Sequence, residues 1–318
     1  MLDYRDPLFS IIVFLALIAI IILITNFLGN LKEKNRIKNL KDFVEKFDFL
    51  DDKEIESIFS GDISVNALML LAIAFEKEGN YEKSLNIYIV LLNNIKEEEK
   101  YTILQNMAEV YLKAGFLQKA HESLLEILRE YPRKVEALNL LFIVDDKLKN
   151  YDEMENIIEI LEELDINVTK KTAYLEFKKA FFKNDKKKIE ELTKNYPILK
   201  RNYINYFIYI NPNKIFNEIT QTEVYEMLDI FWNINNLPPK NQAFIDIKSA
   251  KKEITDTSTS PIFELEILKQ LPKGIANLEF EYICENCKHL SPFYDDRCPH
   301  CKELFSFKLE INLIESKR

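Results

Sequence analysis

All four cysteines of this chain fall within 18 residues. They read Cys284-Glu285-Asn286-Cys287, ten further residues, then Cys298-Pro299-His300-Cys301. Two thiolates separated by two residues face one cation from a single tight turn, and two such turns complete a tetrahedron. The expected cofactor is therefore one metal ion, iron or zinc, on Cys284, Cys287, Cys298 and Cys301. Both metals accept four thiolates, so the spacing does not choose between them. Four protein sulfurs leave no open position for water or substrate, so the site reads as structural. His289 and His300 stand beside a ligand set that is already full and read as loop residues. Disulfides are disfavoured by the cytoplasmic setting expected below, where thiols stay reduced. No residue is assigned a catalytic role.

Short strands must position these knuckles. Leu278 to Ile283 alternates in polarity before the first pair, and Phe305 to Ile311 alternates after the second. A small C-terminal β module over residues 276–318 follows, of the zinc-ribbon or rubredoxin-like kind. A module of this size needs a staple, and metal binding supplies on the order of 10 kcal/mol of folding energy in small zinc domains.

The rest of the chain reads as mostly α. Its 318 residues contain only 5 glycines, far below the usual usage of about 7%. No glycine-rich phosphate-binding loop can be assembled from them. The net charge of −9 argues against a broad nucleic-acid surface, which needs cations to displace counterions. Neither nucleic acid nor a small-molecule substrate is expected, and the chain is not expected to be an enzyme.

Residues Leu8 to Leu28 carry no charge. At 1.5 Å per residue a helix over this stretch spans about 31 Å, enough for the hydrocarbon core of a bilayer. Lys32, Lys34, Arg36, Lys38 and Lys41 follow at once, while only Arg5 precedes. Positive charge stays on the cytoplasmic side. The expectation is a single-pass anchor over residues 1–30 in a bacterial inner membrane, with the bulk of the chain cytoplasmic. A basic juxtamembrane segment and leading helices occupy 31–60.

Residues 61–197 repeat. Leu68, Leu71, Ala72, Phe75, Gly79, Tyr81, Ser84, Tyr88 and Leu91 recur 36 positions later as Leu104, Met107, Ala108, Tyr111, Gly115, Leu117, Ala120, Leu124 and Ile127. A third copy, 34 positions on, keeps most apolar positions but puts Asp145 and Lys149 off pattern. This pattern resembles the tetratricopeptide repeat, a pair of antiparallel helices with small residues where they cross. Ala72, Ala108, Ser84 and Ala120 hold the small positions. Such repeats stack into an α-solenoid and commonly bind proteins on the concave face. Outward positions on the first helices are the candidate partner-binding residues: Asn66, Met69, Ile73, Thr102, Gln105, Glu109, Glu136, Asn139 and Ile143.

Residues 198–275 read as a helical extension and linker. Tyr203, Tyr206, Phe207, Tyr209, Phe216, Tyr225, Phe231 and Trp232 form an aromatic stripe assigned to core. Asp256 to Pro261 is polar and reads as a linker or turn.

The order of anchor, basic segment, repeats and Cys-x2-Cys-x10-Cys-Pro-x-Cys resembles the lipopolysaccharide assembly protein B family (LapB, also YciM). The resemblance implies a membrane helix, cytoplasmic repeats and a C-terminal rubredoxin-like module whose four ligands map onto the four cysteines here. Two departures stand out: Lys288 replaces a glycine after the first knuckle, and Asp295 and Asp296 replace aromatic residues before the second. By resemblance the chain is an adaptor in lipopolysaccharide biosynthesis and assembly that promotes degradation of LpxC by the protease FtsH. The alternatives are a general membrane-tethered scaffold for another complex and a rubredoxin-like electron carrier.

Overall fold

The computed structural model describes residues 65–94 and 97–316, which contain fourteen α-helices and one three-stranded sheet. The expected anchor at Leu8–Leu28, the basic stretch and the leading helices lie outside the described residues. No helix within the described residues is long and apolar enough to cross a membrane. The chain divides into two compact units between Val144 and Asp145.

The first unit is built from helical hairpins. Helices α1 (Val65–Lys77), α2 (Tyr81–Asn94), α3 (Glu97–Ala114) and α4 (Leu117–Glu130) pack on one another in sequence, and α5 (Val135–Leu148) begins the next pair. Apolar residues three and four apart put one stripe of each helix inward, as with Leu104, Met107, Ala108 and Tyr111 on α3. Ala72, Ser84, Ala108 and Ala120, the expected small positions, are all fully buried. A larger side chain there would force the helices apart.

The turns repeat more faithfully than the side chains do. Gly79 and Gly115 end α1 and α3 with φ of 81° and 82°. The residue after each donates its N–H back five positions, Asn80 to the Phe75 carbonyl (2.8 Å) and Phe116 to the Tyr111 carbonyl (2.8 Å). This is a Schellman cap, which satisfies carbonyls left over at a helix end. The same bond recurs in the second unit, for example from Asn150 to Asp145 (2.9 Å) and from Asp185 to Ala180 (2.9 Å). There the left-handed position is filled by Lys149 (φ 63°) and Asn184 (φ 54°). Asp145 itself is fully buried, and its side chain accepts from Asn150 Nδ2 at 2.9 Å. The third copy has thus exchanged an aromatic–glycine turn for a polar clasp at the same bend.

The second unit continues with α6 (Tyr151–Glu163), α7 (Thr169–Phe182) and α8 (Lys186–Asn195). Six short helices follow: α9 (Lys200–Phe207), α10 (Pro212–Glu218), α11 (Gln221–Glu226), α12 (Leu228–Trp232), α13 (Gln242–Ala250) and α14 (Phe263–Gln270). Side-chain caps define several starts. Asn211 accepts from the N–H of Lys214, Asn241 from that of Phe244, and Thr220 with Glu223 forms a capping box. Tyr203, Phe207, Phe216, Phe231 and Trp232 join one apolar core with Leu278. Tyr209 is the exception to the aromatic stripe, at 80% exposed. Residues 256–260 are tied down: Asp256 accepts from Lys269 Nζ (3.3 Å), and Ser260 N–H donates to Glu266 (3.0 Å).

The sheet closes the chain, with β1 (Ala276–Cys284) between β2 (Leu290–Ser291) and β3 (Phe307–Glu315), all antiparallel. Leu278 opposes Leu313, Phe280 opposes Ile311, Tyr282 opposes Leu309 and Cys284 opposes Phe307. Leu278, Phe280, Leu309, Ile311 and Leu313 pack with the helices, while Glu279, Lys308, Glu310 and Asn312 face water.

Candidate metal centre

Each cysteine pair sits on one turn at the end of a strand or bridge. Lys288 N–H donates to the Cys284 carbonyl (2.8 Å), and Cys284 N–H donates to the His289 carbonyl (2.9 Å). The second knuckle repeats both bonds, from Lys302 to Cys298 (2.9 Å) and from Cys298 to Glu303 (2.9 Å). The residue after each second cysteine is left-handed, Lys288 at φ 61° and Lys302 at φ 66°. That geometry favours glycine. Lysine at 288 therefore keeps the bend that a glycine would make more cheaply.

The four Sγ atoms all lie within 4.8 Å of one another. Cys284 and Cys301 are 3.6 Å apart, and Cys287 and Cys298 are 3.7 Å apart. Four sulfurs at about 2.3 Å from a central ion stand about 3.8 Å from each other, so the cluster fits a tetrahedral thiolate site. The distances are far beyond a disulfide bond, and all four thiols are free. Cys284 and Cys298 are buried, while Cys287 and Cys301 are half-buried.

Local groups favour charge on one sulfur. Burial opposes the Cys284 thiolate, but the hydrogen bond between its sulfur and Ser306 Oγ (3.2 Å) and the N–H groups of Cys287 and Asn286 outweigh it. They bring its thiol down to about 6. Burial pushes the Cys298 thiol up to about 12. A bound dication would favour the thiolate at all four positions. Ser306 is a site residue that sequence reasoning misses, because its place before β3 is the only signal it carries.

The second knuckle is clamped to the helices of its unit. Lys170 of α7 pairs with Glu303 (2.6 Å), and Asn202 of α9 donates to Asp296 (2.8 Å). Tyr174 donates to Asp146 at 2.7 Å, with its ring edge-on to Phe305. The Arg297 guanidinium lies over the Tyr174 ring and 3.6 Å from Asp146. Burial raises the Asp296 carboxyl above the usual carboxylate range. Asp296 thus replaces an expected aromatic with a hydrogen-bonded joint. His289 and His300 are exposed and stacked on each other, ring centroids 5.5 Å apart.

The candidate partner-binding residues lie on α1, α3 and α5. Asn66, Thr102 and Glu136 are exposed; Met69, Ile73, Gln105, Glu109 and Asn139 are half-buried. Ile143 is 6% exposed and offers little surface. Lys113 of α3 pairs with Glu76 of α1 at 2.6 Å, tying adjacent hairpins together.

No protein-family model and no curated protein matches the chain. Among solved structures it is similar to a tetratricopeptide repeat protein from Parabacteroides merdae, at 21% identity over 75% of this chain and 98% of that one, with a TM-score of 0.39. It is also similar to a structure described as "Functional Characterization of Pseudomonas Aeruginosa pilF", at 14% identity over 46% of this chain and 68% of that one, with a TM-score of 0.34. At these values neither neighbour assigns a function.

Proposed function

We propose that this protein is a membrane-anchored, non-catalytic adaptor of the bacterial inner membrane, acting in the control of lipopolysaccharide synthesis. The observation that carries the non-catalytic reading is the closed thiolate set: four sulfurs within 4.8 Å of one another saturate an ion and leave no open coordination position on it for substrate. Hairpins with exposed polar positions on α1, α3 and α5 support protein binding, the common use of such arrays. The lipopolysaccharide assignment rests on the resemblance in segment order and knuckle spacing. In this reading the anchor raises the local concentration of the helical array near a membrane protease. FtsH is the protease and LpxC the client.

Affinity purification of the full-length protein from its native membrane, with mass spectrometry of what co-purifies, tests the assignment. Recovery of FtsH with LpxC or lipopolysaccharide-assembly proteins is the expected result, together with slower LpxC turnover on depletion. Unchanged LpxC turnover, with a different complex recovered, would make the protein a general scaffold. A reversible iron redox wave from the purified protein would instead favour the electron carrier.

A further inference from the structure

Strand β1 is the middle strand of its sheet, yet β2 covers only Tyr282 and Ile283. From Ala276 to Glu281 the edge of β1 opposite β3 has no strand beside it among the described residues. The direction of its backbone groups follows from alternation. Cys284 N–H points to the β2 side, where it meets the His289 carbonyl. Every second residue repeats that direction, so Tyr282, Phe280 and Leu278 aim the same way. The Leu278 N–H is taken by Asn277 Oδ1 (2.9 Å), which also accepts from Trp232 Nε1 (3.2 Å). The Phe280 N–H and C=O and the Leu278 C=O on this edge have no partner among the described residues.

This bare edge forms one wall of a groove of about 510 Å³. The facing wall carries Arg201, Tyr209, Asp229 and Trp232, and Tyr294 also lines the groove. The groove is braced from below. Arg201 pairs with Asp229, Tyr282 donates to the same carboxylate at 2.7 Å, and the guanidinium stacks 4.0 Å from the Tyr294 ring centroid. Arg201 and Asp229 therefore neutralise each other. Glu279 is the one charged lining residue with no ion-pair partner among the described residues, and it stands on the water-facing side of β1.

We propose that this edge binds an extended peptide segment in which apolar residues alternate with lysine or arginine. The peptide adds a strand to β1, accepting from the Phe280 N–H and donating to the Phe280 and Leu278 carbonyls. Its side chains alternate between two faces. Apolar ones pack inward beside Tyr209 and Trp232; basic ones point outward to Glu279, an opposite-charge pair of the kind that stabilises neighbouring strands. A strand edge left uncovered is a pairing template, and Glu279 makes it selective for cationic partners.

Trp232 is the only tryptophan in the chain, so its emission reports this groove alone. The experiment titrates the full-length protein with a capped hexapeptide of alternating isoleucine and lysine. The expected result is a saturable shift in Trp232 emission. The shift should vanish when the peptide's inward-bonding amides are N-methylated. It should weaken about fivefold in the exposed variant Glu279→Lys, which in turn should gain affinity for the isoleucine–glutamate counterpart. No saturable shift, a shift indifferent to N-methylation, or one indifferent to Glu279→Lys would each overturn the proposal. So would self-association of the protein that competes with the peptide, since the occupant would then be a second copy.

Discussion

At residue 149 the third helical turn has lost the glycine found at 79 and 115 and still makes the same back-bond, whereas no such exchange is open to Cys284 or Cys298. The helical turns share their work among many weak contributions: a left-handed residue, a backbone bond and a buried neighbour. Any one can be replaced, as Asp145 replaces the aromatic and Lys149 the glycine. The two knuckles of the β module depend on four sulfurs held by two turns, with β2 only two residues long beside them. The sharpest test of this contrast is removal of one ligand. Cys284→Ser or Cys298→Ser should abolish tight metal binding, forfeiting a stabilisation on the order of 10 kcal/mol. Metal stoichiometry should collapse, and amide protection should be lost across the two knuckles, 284–306, but kept in α1 to α4. Full metal content with unchanged protection would break the comparison.

Between these extremes stands a polar knot in the second unit. Asp246 is fully buried and pairs with Lys269 at 2.7 Å; Lys269 is itself 6% exposed at the side chain. Tyr225 (2.6 Å) and Gln242 (2.9 Å) also donate to Asp246. Lys269→Met leaves the buried Asp246 charge without a cation and should cost about 3–5 kcal/mol in urea unfolding; Asp246→Asn should cost less, because Lys269 keeps its ion pair with Asp256 at 3.3 Å. Replacing both with apolar residues should cost less than either alone. Burial works against the Asp246 carboxylate, but Lys269, Tyr225 and Gln242 outweigh it and hold its pKa below the ordinary value. A depressed carboxylate stabilises the fold above its unfolded pKa and loses that contribution as pH falls through the folded one. The contribution should thus be complete at neutral pH and fade on acidification below about pH 4, and it should be missing from the Asp246→Asn variant.

The small positions of the first unit come next in size. Ala72→Leu or Ala120→Leu overfills a fully buried crossing and should destabilise by about 1–3 kcal/mol. The same change at exposed Ala74 should be nearly silent.

The metal module is legible from the cysteine spacing alone, since ligand count and turn geometry are local properties. The 36-residue repeat is legible for the same kind of reason: Ala72 and Ala108, or Gly79 and Gly115, are one constraint stated twice. Residues 198–275 are harder because their order is not periodic. Their helices have nine residues or fewer, and the signals that delimit them are single caps such as Thr220 with Glu223 and Asn241. Asp256 and Ser258 resemble a linker in sequence because polarity suggests solvation. Their partners, Lys269 and Gln242, lie more than ten residues away. The joint between knuckle and helices depends on contacts as distant as Asn202 with Asp296, which no local pattern announces.

The smallest effects test why the helical turns tolerate change. A non-glycine residue in the left-handed region costs about 1–2 kcal/mol. A Cβ built at Gly115 meets nothing within 4 Å, so Gly115→Ala carries only that conformational cost. It should lose about 1 kcal/mol of stability. Lys149→Gly should move the opposite way and gain a somewhat smaller amount, because glycine recovers the turn strain but frees the unfolded chain. The same sign is expected at Lys288→Gly beside the first knuckle, read as a rise in the unfolding midpoint of the metal-loaded module. If Gly115→Ala proved neutral, packing around that turn would already compensate the strain. If Lys149→Gly destabilised the protein, the polar clasp from Asn150 to Asp145 would be gripping the lysine backbone in a way that glycine could not reproduce, and the third turn would be a specialised joint and not a worn copy of the first two.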